Sequence, residues 1–170
     1  MHYTSWDRTN REAPRLIADD DREAVIGEFS DESAVVDGQH WALSVDPRIG
    51  ASATTDDDRV FRIIGDLTRS KKLDVSLEGR TFSFINESGR NWIIDNAEGE
   101  KVAQFSGVNS GVRKAIVEYA ETAKSMEREE LAALAWFSRL ILEQRLKTAA
   151  LPLIITLVLA TVVAIGAVLV

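Results

Sequence analysis

The sequence predicts an α+β protein: a β-meander forming a barrel or strongly curved sheet around a C-terminal apolar helix, plus one C-terminal transmembrane helix. Three observations carry this. From Arg15 to about Ser106, short runs rich in Val, Ile and Phe alternate with acidic and glycine turns. Residues 131–142 are apolar around nearly the whole helical circumference. Residues 149–170 contain no charged side chain.

Taken in order, residues 1–14 are polar and read as a flexible lead-in. Trp6 is the exception, a large apolar side chain expected to dock on the domain. The segment has no apolar run of the kind a signal peptide needs, so the domain is expected to stay on the side where it was made. The β-rich domain spans 15–148. Asp37-Gly38 lies between Ser33–Val36 and His40–Val45, and Glu78-Gly79 separates Leu73–Leu77 from Thr81–Ile85. Both pairs predict two-residue hairpins, because both central residues of a type I′ turn need positive φ. Phe82 and Phe84 then share one face of their strand and Thr81 and Ser83 the other.

The strand signals repeat. Asp19-Asp20-Asp21-Arg22 recurs as Asp56-Asp57-Asp58-Arg59, and Ile26-Gly27-Glu28-Phe29-Ser30 as Ile64-Gly65-Asp66-Leu67-Thr68. A partial third copy begins at Trp92: Trp92-Ile93-Ile94-Asp95 parallels Leu16-Ile17-Ala18-Asp19, and Val102–Ser106 parallels Ile26–Ser30. Units of this kind cannot bury their apolar faces alone, which is why the repeat implies a barrel or strongly curved sheet.

After Gly107 the period changes. Val112, Ile116, Val117 and Ala120 fit helical spacing and predict a helix at about 111–124. A second helix is predicted at about 126–147. Its core positions are Leu131, Leu134, Ala135, Trp136, Phe137 and Ile141. That apolar portion is too short to cross a bilayer. Either the β-domain wraps it, or it lies in the membrane interface, or it pairs with another helix.

Residues 149–170 have the length and composition of a bilayer span, about 30 Å of helix, with Leu151, Ile155, Val158, Val162, Ile165 and Leu169 along it. Pro152 falls in the first turn, where its missing N–H costs no helical bond. Arg139, Arg145 and Lys147 precede the run, so the positive-inside rule places the domain in the cytoplasm of a single-pass, tail-anchored protein whose insertion is late or post-translational. Ala160 and Ala164 lie four apart, the spacing of a close helix–helix contact that would make a homodimer.

Net charge is −7 and the anchor carries none of it. Such a domain is repelled by anionic lipid head groups and by nucleic acid phosphates, so no nucleic-acid partner is expected. There is no cysteine, which excludes disulfides, thiolate catalysis and Cys-based zinc sites.

A curved, repetitive β-meander followed by a helix apolar all round resembles the tubby-like superfamily, which includes the LURP-one-related proteins and the phospholipid scramblases. The residues that carry the resemblance are the hairpin Trp92-Ile93-Ile94-Asp95-Asn96-Ala97-Glu98-Gly99-Glu100-Lys101-Val102-Ala103, the equivalent stretch Leu16 to Gly27, and the helix Glu129 to Leu142. The resemblance implies a closed barrel around one hydrophobic helix and an association with membranes. The family barrel has a few more strands than the roughly eight to ten countable here. Its phosphoinositide-binding basic residues and its calcium-binding acidic segment find no residue-by-residue match, so the resemblance transfers no activity.

Motifs for chemistry are sparse. His2 lies in the lead-in and His40 beside Trp41 on a strand, and neither builds a nucleophile–base arrangement. Gly-rich phosphate loops, His-Glu-x-x-His and EF-hand loops are absent, and no cofactor is expected. Two glycines, Gly107 and Gly111, precede the first predicted helix, where the ordinary reading is a strand-to-helix connection. Among metal candidates, Asp19, Asp21, Asp56 and Asp58 are the strongest, since adjacent carboxylates suit calcium or magnesium. Consecutive residues of an extended segment point in different directions, so a site would need both runs at one end of the barrel, and solvated turns are the default. The basic residues Arg62, Arg69, Lys71, Lys72, Arg80 and Arg90 are interspersed with Asp66, Asp74, Glu78 and Glu87. They read as a mixed solvated face, with a lipid head group or an acidic partner as the other option.

The reading that results is a non-catalytic tubby-like domain, anchored at the C-terminus, that binds a lipid or protein partner at the bilayer surface. The alternative is a membrane-tethered scaffold or interaction subunit of unrelated β-rich fold, with an enzyme third.

Overall fold

The computed structural model describes residues 1–107 and 114–168, with 151–168 described by backbone alone. Twelve antiparallel strands close into a barrel: β1 (Tyr3–Asp7), β2 (Arg15–Ala18), β3 (Val25–Phe29), β4 (Ser33–Val36), β5 (Gln39–Asp46), β6 (Gly50–Thr55), β7 (Val60–Ile64), β8 (Lys72–Leu77), β9 (Arg80–Ser88), β10 (Asn91–Asn96), β11 (Lys101–Ser106) and β12 (Val117–Tyr119). Each strand pairs with its sequence neighbours, and β1 pairs with β12 at the seam. The helix α1 (Arg128–Val168) follows a 3-10 turn at Glu121–Ser125.

The two predicted hairpins have the expected geometry. Asp37 and Gly38 have φ of 46° and 85°, Glu78 and Gly79 of 48° and 86°, as a type I′ turn requires. The strands leaving them pair from Val36 with Gln39 and from Leu77 with Arg80. Alternation then sorts the faces: Trp41, Phe82 and Phe84 are buried, and His40 and Thr81 are exposed.

The repeat acquires a structural meaning. Its acidic turn joins β2 to β3 in the first copy, β6 to β7 in the second and β10 to β11 in the third. The period is therefore four strands, and three periods make the twelve-stranded ring. The third copy is incomplete in sequence because its fourth strand is β1, supplied from the other end of the chain.

That closure corrects two expectations. Residues 1–14 are not simply a lead-in, since Tyr3–Asp7 pairs with both β2 and β12. Trp6 is docked as expected, buried against Phe29 at a ring separation of 5.0 Å. From Val117 on, the helix predicted at about 111–124 is replaced by β12 and the 3-10 turn. Val117 is buried, Glu118 exposed and Tyr119 half-buried, a period of two. Val117 faces Phe105 on one side and Thr4 on the other, and filling the seam outweighs the local helical spacing. Val112 and Gly111 lie outside the described residues.

The barrel's interior is filled by the first half of α1. Leu131, Leu134, Ala135, Trp136, Phe137 and Ile141 are buried, together with Ala132, Ala133 and Ser138. Of the three environments open to this helix, the wrapping β-domain is the one observed. Alanine positions let the wall approach closely, while Trp136 stacks on Phe29 of β3 with ring centroids 6.4 Å apart. The one buried hydroxyl on this stretch, Ser138, donates to the Leu134 carbonyl at 2.8 Å, so no polar atom of the side chain is stranded. Exposure returns along the helix from Leu146. The helix predicted at about 126–147 and the charge-free run that follows are continuous in the backbone through Val168, as α1.

Among the described residues, no helix is long and apolar enough to cross a membrane. The side chains of the expected span, Leu151, Ile155, Val158, Val162, Ile165 and Leu169, and of the contact pair Ala160 and Ala164, lie outside the described residues.

Candidate functional site at the ends of the barrel

Antiparallel order sends successive connections to opposite ends of the barrel. One end gathers the β2–β3, β4–β5, β6–β7, β8–β9 and β10–β11 turns. There α1 enters. Arg59 of the second acidic turn donates to Gln39 at 2.8 Å and lies 2.9 Å from Asp57, 3.2 Å from Glu78 and 3.4 Å from Glu127. Burial works against the Arg59 charge, but the carboxylates of Asp57, Glu78 and Glu129 outweigh it and raise its pKa. Arg80 pairs with the buried Glu130, whose other oxygen accepts the Glu127 amide at 2.9 Å and so caps the helix. Arg128 reaches Asp37 at 2.9 Å. Three turn residues, Arg59, Arg80 and Asp37, thus hold the start of α1. The sequence marks these residues only as scattered charges.

Both acidic runs lie at this entry end, which is the geometry a shared metal site would need. Four of their six carboxylates are otherwise engaged. Asp19 accepts the His2 and Tyr3 amides at 2.8 and 3.1 Å, and the first of these bonds does most to hold it below the usual carboxylate range. Asp21 accepts the Glu23 amide at 2.9 Å. Asp20 is bound by Lys114 and Ser5, and Asp57 by Thr55 and Arg59. Asp56 and Asp58 are exposed, the latter at φ 64° inside its turn. Among the described residues, no group of three His, Asp or Glu side chains is arranged to hold a metal ion.

The opposite, exit end gathers the β1–β2, β3–β4, β5–β6, β7–β8 and β9–β10 connections. Here α1 is clamped by stacked cations. The Arg139 guanidinium lies 4.7 Å from the centre of the Trp6 ring and donates to Glu143 at 2.9 Å. Arg145 lies 4.6 Å from the centre of Trp92 and donates to the Ser70 carbonyl at 2.5 Å. Burial pushes the Arg145 guanidinium below its usual value, with Asp66 acting the other way. Arg8 reaches Glu143 at 3.4 Å.

The basic cluster read from the sequence divides between these ends. Arg69, Lys71, Lys72 and Arg90 belong to the exit rim and are exposed. Arg80 is at the entry end on Glu130, and Arg62 lies on the outer wall of β7. The exit rim also carries Arg48 and the exposed Ile49 on the β5–β6 turn, which bonds to the β7–β8 loop through Gly65 N–H to Ile49 O at 2.8 Å and Leu67 N–H to Pro47 O at 2.9 Å. His40 stands alone on the outer wall, and Gly107 packs its backbone against Leu142. A recess of about 530 Å³ beside Trp6 is lined by Asp7, Arg8, Arg11, Asp20, Arg22 and Lys114. Its charges largely satisfy one another, with Lys114 on Asp20 at 2.9 Å and Arg22 on Asp7 at 3.9 Å.

Compared with protein-family models, curated proteins and solved structures, the chain matches none.

Proposed function

We propose that this chain is a C-terminally anchored, single-pass membrane protein whose cytoplasmic barrel is a non-catalytic, tubby-like module binding a lipid or protein partner at the bilayer surface. One observation carries the reading. A single unbroken helix fills the barrel over residues 131–142 and then runs on through the charge-free stretch 149–168. The same helix serves as core and as tether, so the barrel is held against whatever receives its C-terminal half. A closed barrel of twelve strands around one hydrophobic helix is the architecture the tubby-like resemblance implies. The alternative scaffold reading needs the 126–142 helix free to pack on a partner. Its burial inside the barrel weighs against that.

Membrane fractionation of the full chain tests the proposal. The chain is expected to remain in the membrane pellet through alkaline carbonate extraction and to be released when Val158 and Val162 are both replaced by Arg, because a charge at mid-span costs several kcal/mol. Release of the unaltered chain into the supernatant overturns it.

A further inference from the structure

The two ends of the barrel carry opposite charge, and the helix leaves by the basic one. At the entry end stand both Asp-Asp-Asp runs, Asp37, Glu78, Glu98 and Glu100. At the exit end, one arc of the rim is formed by the β5–β6 turn, the β7–β8 loop, the β9–β10 turn and the emerging α1. It presents Arg48, Arg69, Lys71, Lys72, Arg90 and Lys147, all exposed. Among the described residues, Arg48, Lys71, Lys72, Arg90 and Lys147 make no ion pair. Four acids share the arc: the exposed Asp46, which accepts the Arg48 amide at 2.9 Å, Asp66, which accepts the Thr68 amide at 2.8 Å and sits 4.0 Å from Arg69, the exposed Glu87, and Glu143 of α1, which is held by Arg139 and Arg8. The Asp31 and Glu32 carboxylates lie on the β3–β4 turn, elsewhere on the rim. Apolar tips stand among the cations, with Ile49 68 % and Leu146 57 % exposed. The overall charge of −7 hides this, because it adds the two ends together.

We infer that this basic arc is a docking surface for anionic membrane lipids, on which the barrel rests with Ile49 dipping into the head-group layer. The inference rests on the anchor reading above and adds the face, the lipid charge and the orientation. Distance supports it. Arg145 is fixed to the rim through Ser70 and Trp92, and Ala149, where the charge-free run starts, is the fourth residue on along the helix. That is about 6 Å of rise, within one Debye length of about 8 Å at physiological salt. The cations therefore sit inside the surface potential of an anionic leaflet, and the acidic entry end sits a barrel's length away from it. An exposed aliphatic tip on the same rim as Lys and Arg is the chemistry of interfacial binding. Each such cation near an anionic surface contributes about a fivefold preference for it.

The absence of cysteine makes the test direct. Full-length chain carrying Ile49→Cys is labelled with an environment-sensitive fluorophore and reconstituted in vesicles of phosphatidylcholine alone or with three parts in ten phosphatidylserine. A second protein carries the label at Glu98→Cys on the entry end. Label at 49 is expected to shift to the blue in the anionic vesicles alone, and to lose that shift in 0.5 M salt. Lys71→Glu, Lys72→Glu and Arg90→Glu together should weaken docking on the order of a hundredfold, with the thermal melt of these exposed-site variants confirming the fold. Label at 98 is expected to stay unchanged. Flotation of the same samples reads the anchor independently. Protein that floats with neutral vesicles but whose label at 49 ignores lipid charge overturns the docking and leaves the anchor standing. Protein that floats with neither vesicle overturns both. A response at 49 to soluble polyglutamate and not to anionic vesicles reassigns the arc to an acidic protein and overturns the lipid proposal.

Discussion

Arg145 and Trp92 stack at the point where the core helix leaves the barrel, 4.6 Å from guanidinium carbon to ring centre. The same guanidinium donates to the Ser70 carbonyl, so one side chain joins α1 to the β7–β8 loop and to β10. Stacking of this kind, half-desolvated, is worth about 1–2 kcal/mol. Arg145→Ala is expected to cost about that much in urea denaturation of the full chain in detergent, read by Trp fluorescence. Arg145→Lys should recover only part of it, since an ammonium lacks the planar face and the forked donors. Equal stability of the Ala variant and the unaltered chain would show that the stack contributes nothing.

Tyr119 makes the corresponding link at the seam. Its hydroxyl donates to the Leu131 carbonyl at 3.0 Å and is hydrogen-bonded to Thr4 Oγ1 at 3.0 Å. Burial raises its pKa above the ordinary value of 10.0, outweighing the Thr4 bond. The folded chain therefore keeps a proton that the unfolded chain releases above pH 10. Stability from this group is complete below that pH and declines as pH rises beyond it. Melting temperature should fall between pH 10 and 11 more steeply for the unaltered chain than for Tyr119→Phe. At pH 7 the Phe variant should be less stable by about 1 kcal/mol for its lost hydrogen bonds. Parallel pH profiles for the two proteins would refute the assignment.

The legible parts of this fold are those that local chemistry dictates. Asp37-Gly38 and Glu78-Gly79 announce their hairpins because positive φ is a property of two adjacent residues. Residues 131–142 announce a surrounded helix because no solvent-facing stripe is left to them. The seam was not legible. Tyr3-Thr4-Ser5-Trp6-Asp7 is short and half polar, and its partner Val117–Tyr119 lies more than a hundred residues away, so only closure of the ring makes either a strand. Charge segregation was hidden for a related reason. Lys72 and Glu78 are six apart in sequence, yet β8 carries them to opposite ends. A meander interleaves its two rims along the chain, and a linear reading averages them into a mixed face. The pairing of Arg80 with Glu130 was equally invisible, fifty residues apart.

That pair supports a third prediction. Glu130 is 4 % exposed, pairs with Arg80 and accepts the Glu127 amide at the start of α1. Arg80 is half exposed, which screens the pair and limits its worth to about 1 kcal/mol. Glu130→Gln keeps the cap and loses the charge, so its cost should be small. Glu130→Ala loses both and should cost about 1–3 kcal/mol more, as an unsatisfied helix terminus does. A double-mutant cycle with Arg80→Met isolates the pair. Coupling indistinguishable from zero would mean that the carboxylate acts on the helix alone.

Gly50 opens β6 at φ 137°, beside the turn that carries Ile49. A Cβ there would meet the Ile63 carbonyl oxygen at 2.0 Å, and that oxygen belongs to the neighbouring strand's backbone, which cannot swing aside as a side chain does. The backbone angle adds its own cost, since L-residues rarely adopt it. Gly50→Ala should therefore lower stability by about 2–4 kcal/mol, through parting of the β6–β7 pairs Gly50–Ile64 and Ala51–Ile63. Hydrogen exchange localises the effect: amides of β6 and β7 should lose protection before those of β9 and β10. Gly38→Ala, at φ 85° with no atom near its Cβ, carries the angular strain without the clash and should cost only about 1 kcal/mol. Equal losses at the two positions would mean that backbone angle alone, and not the close approach of β7, keeps residue 50 a glycine.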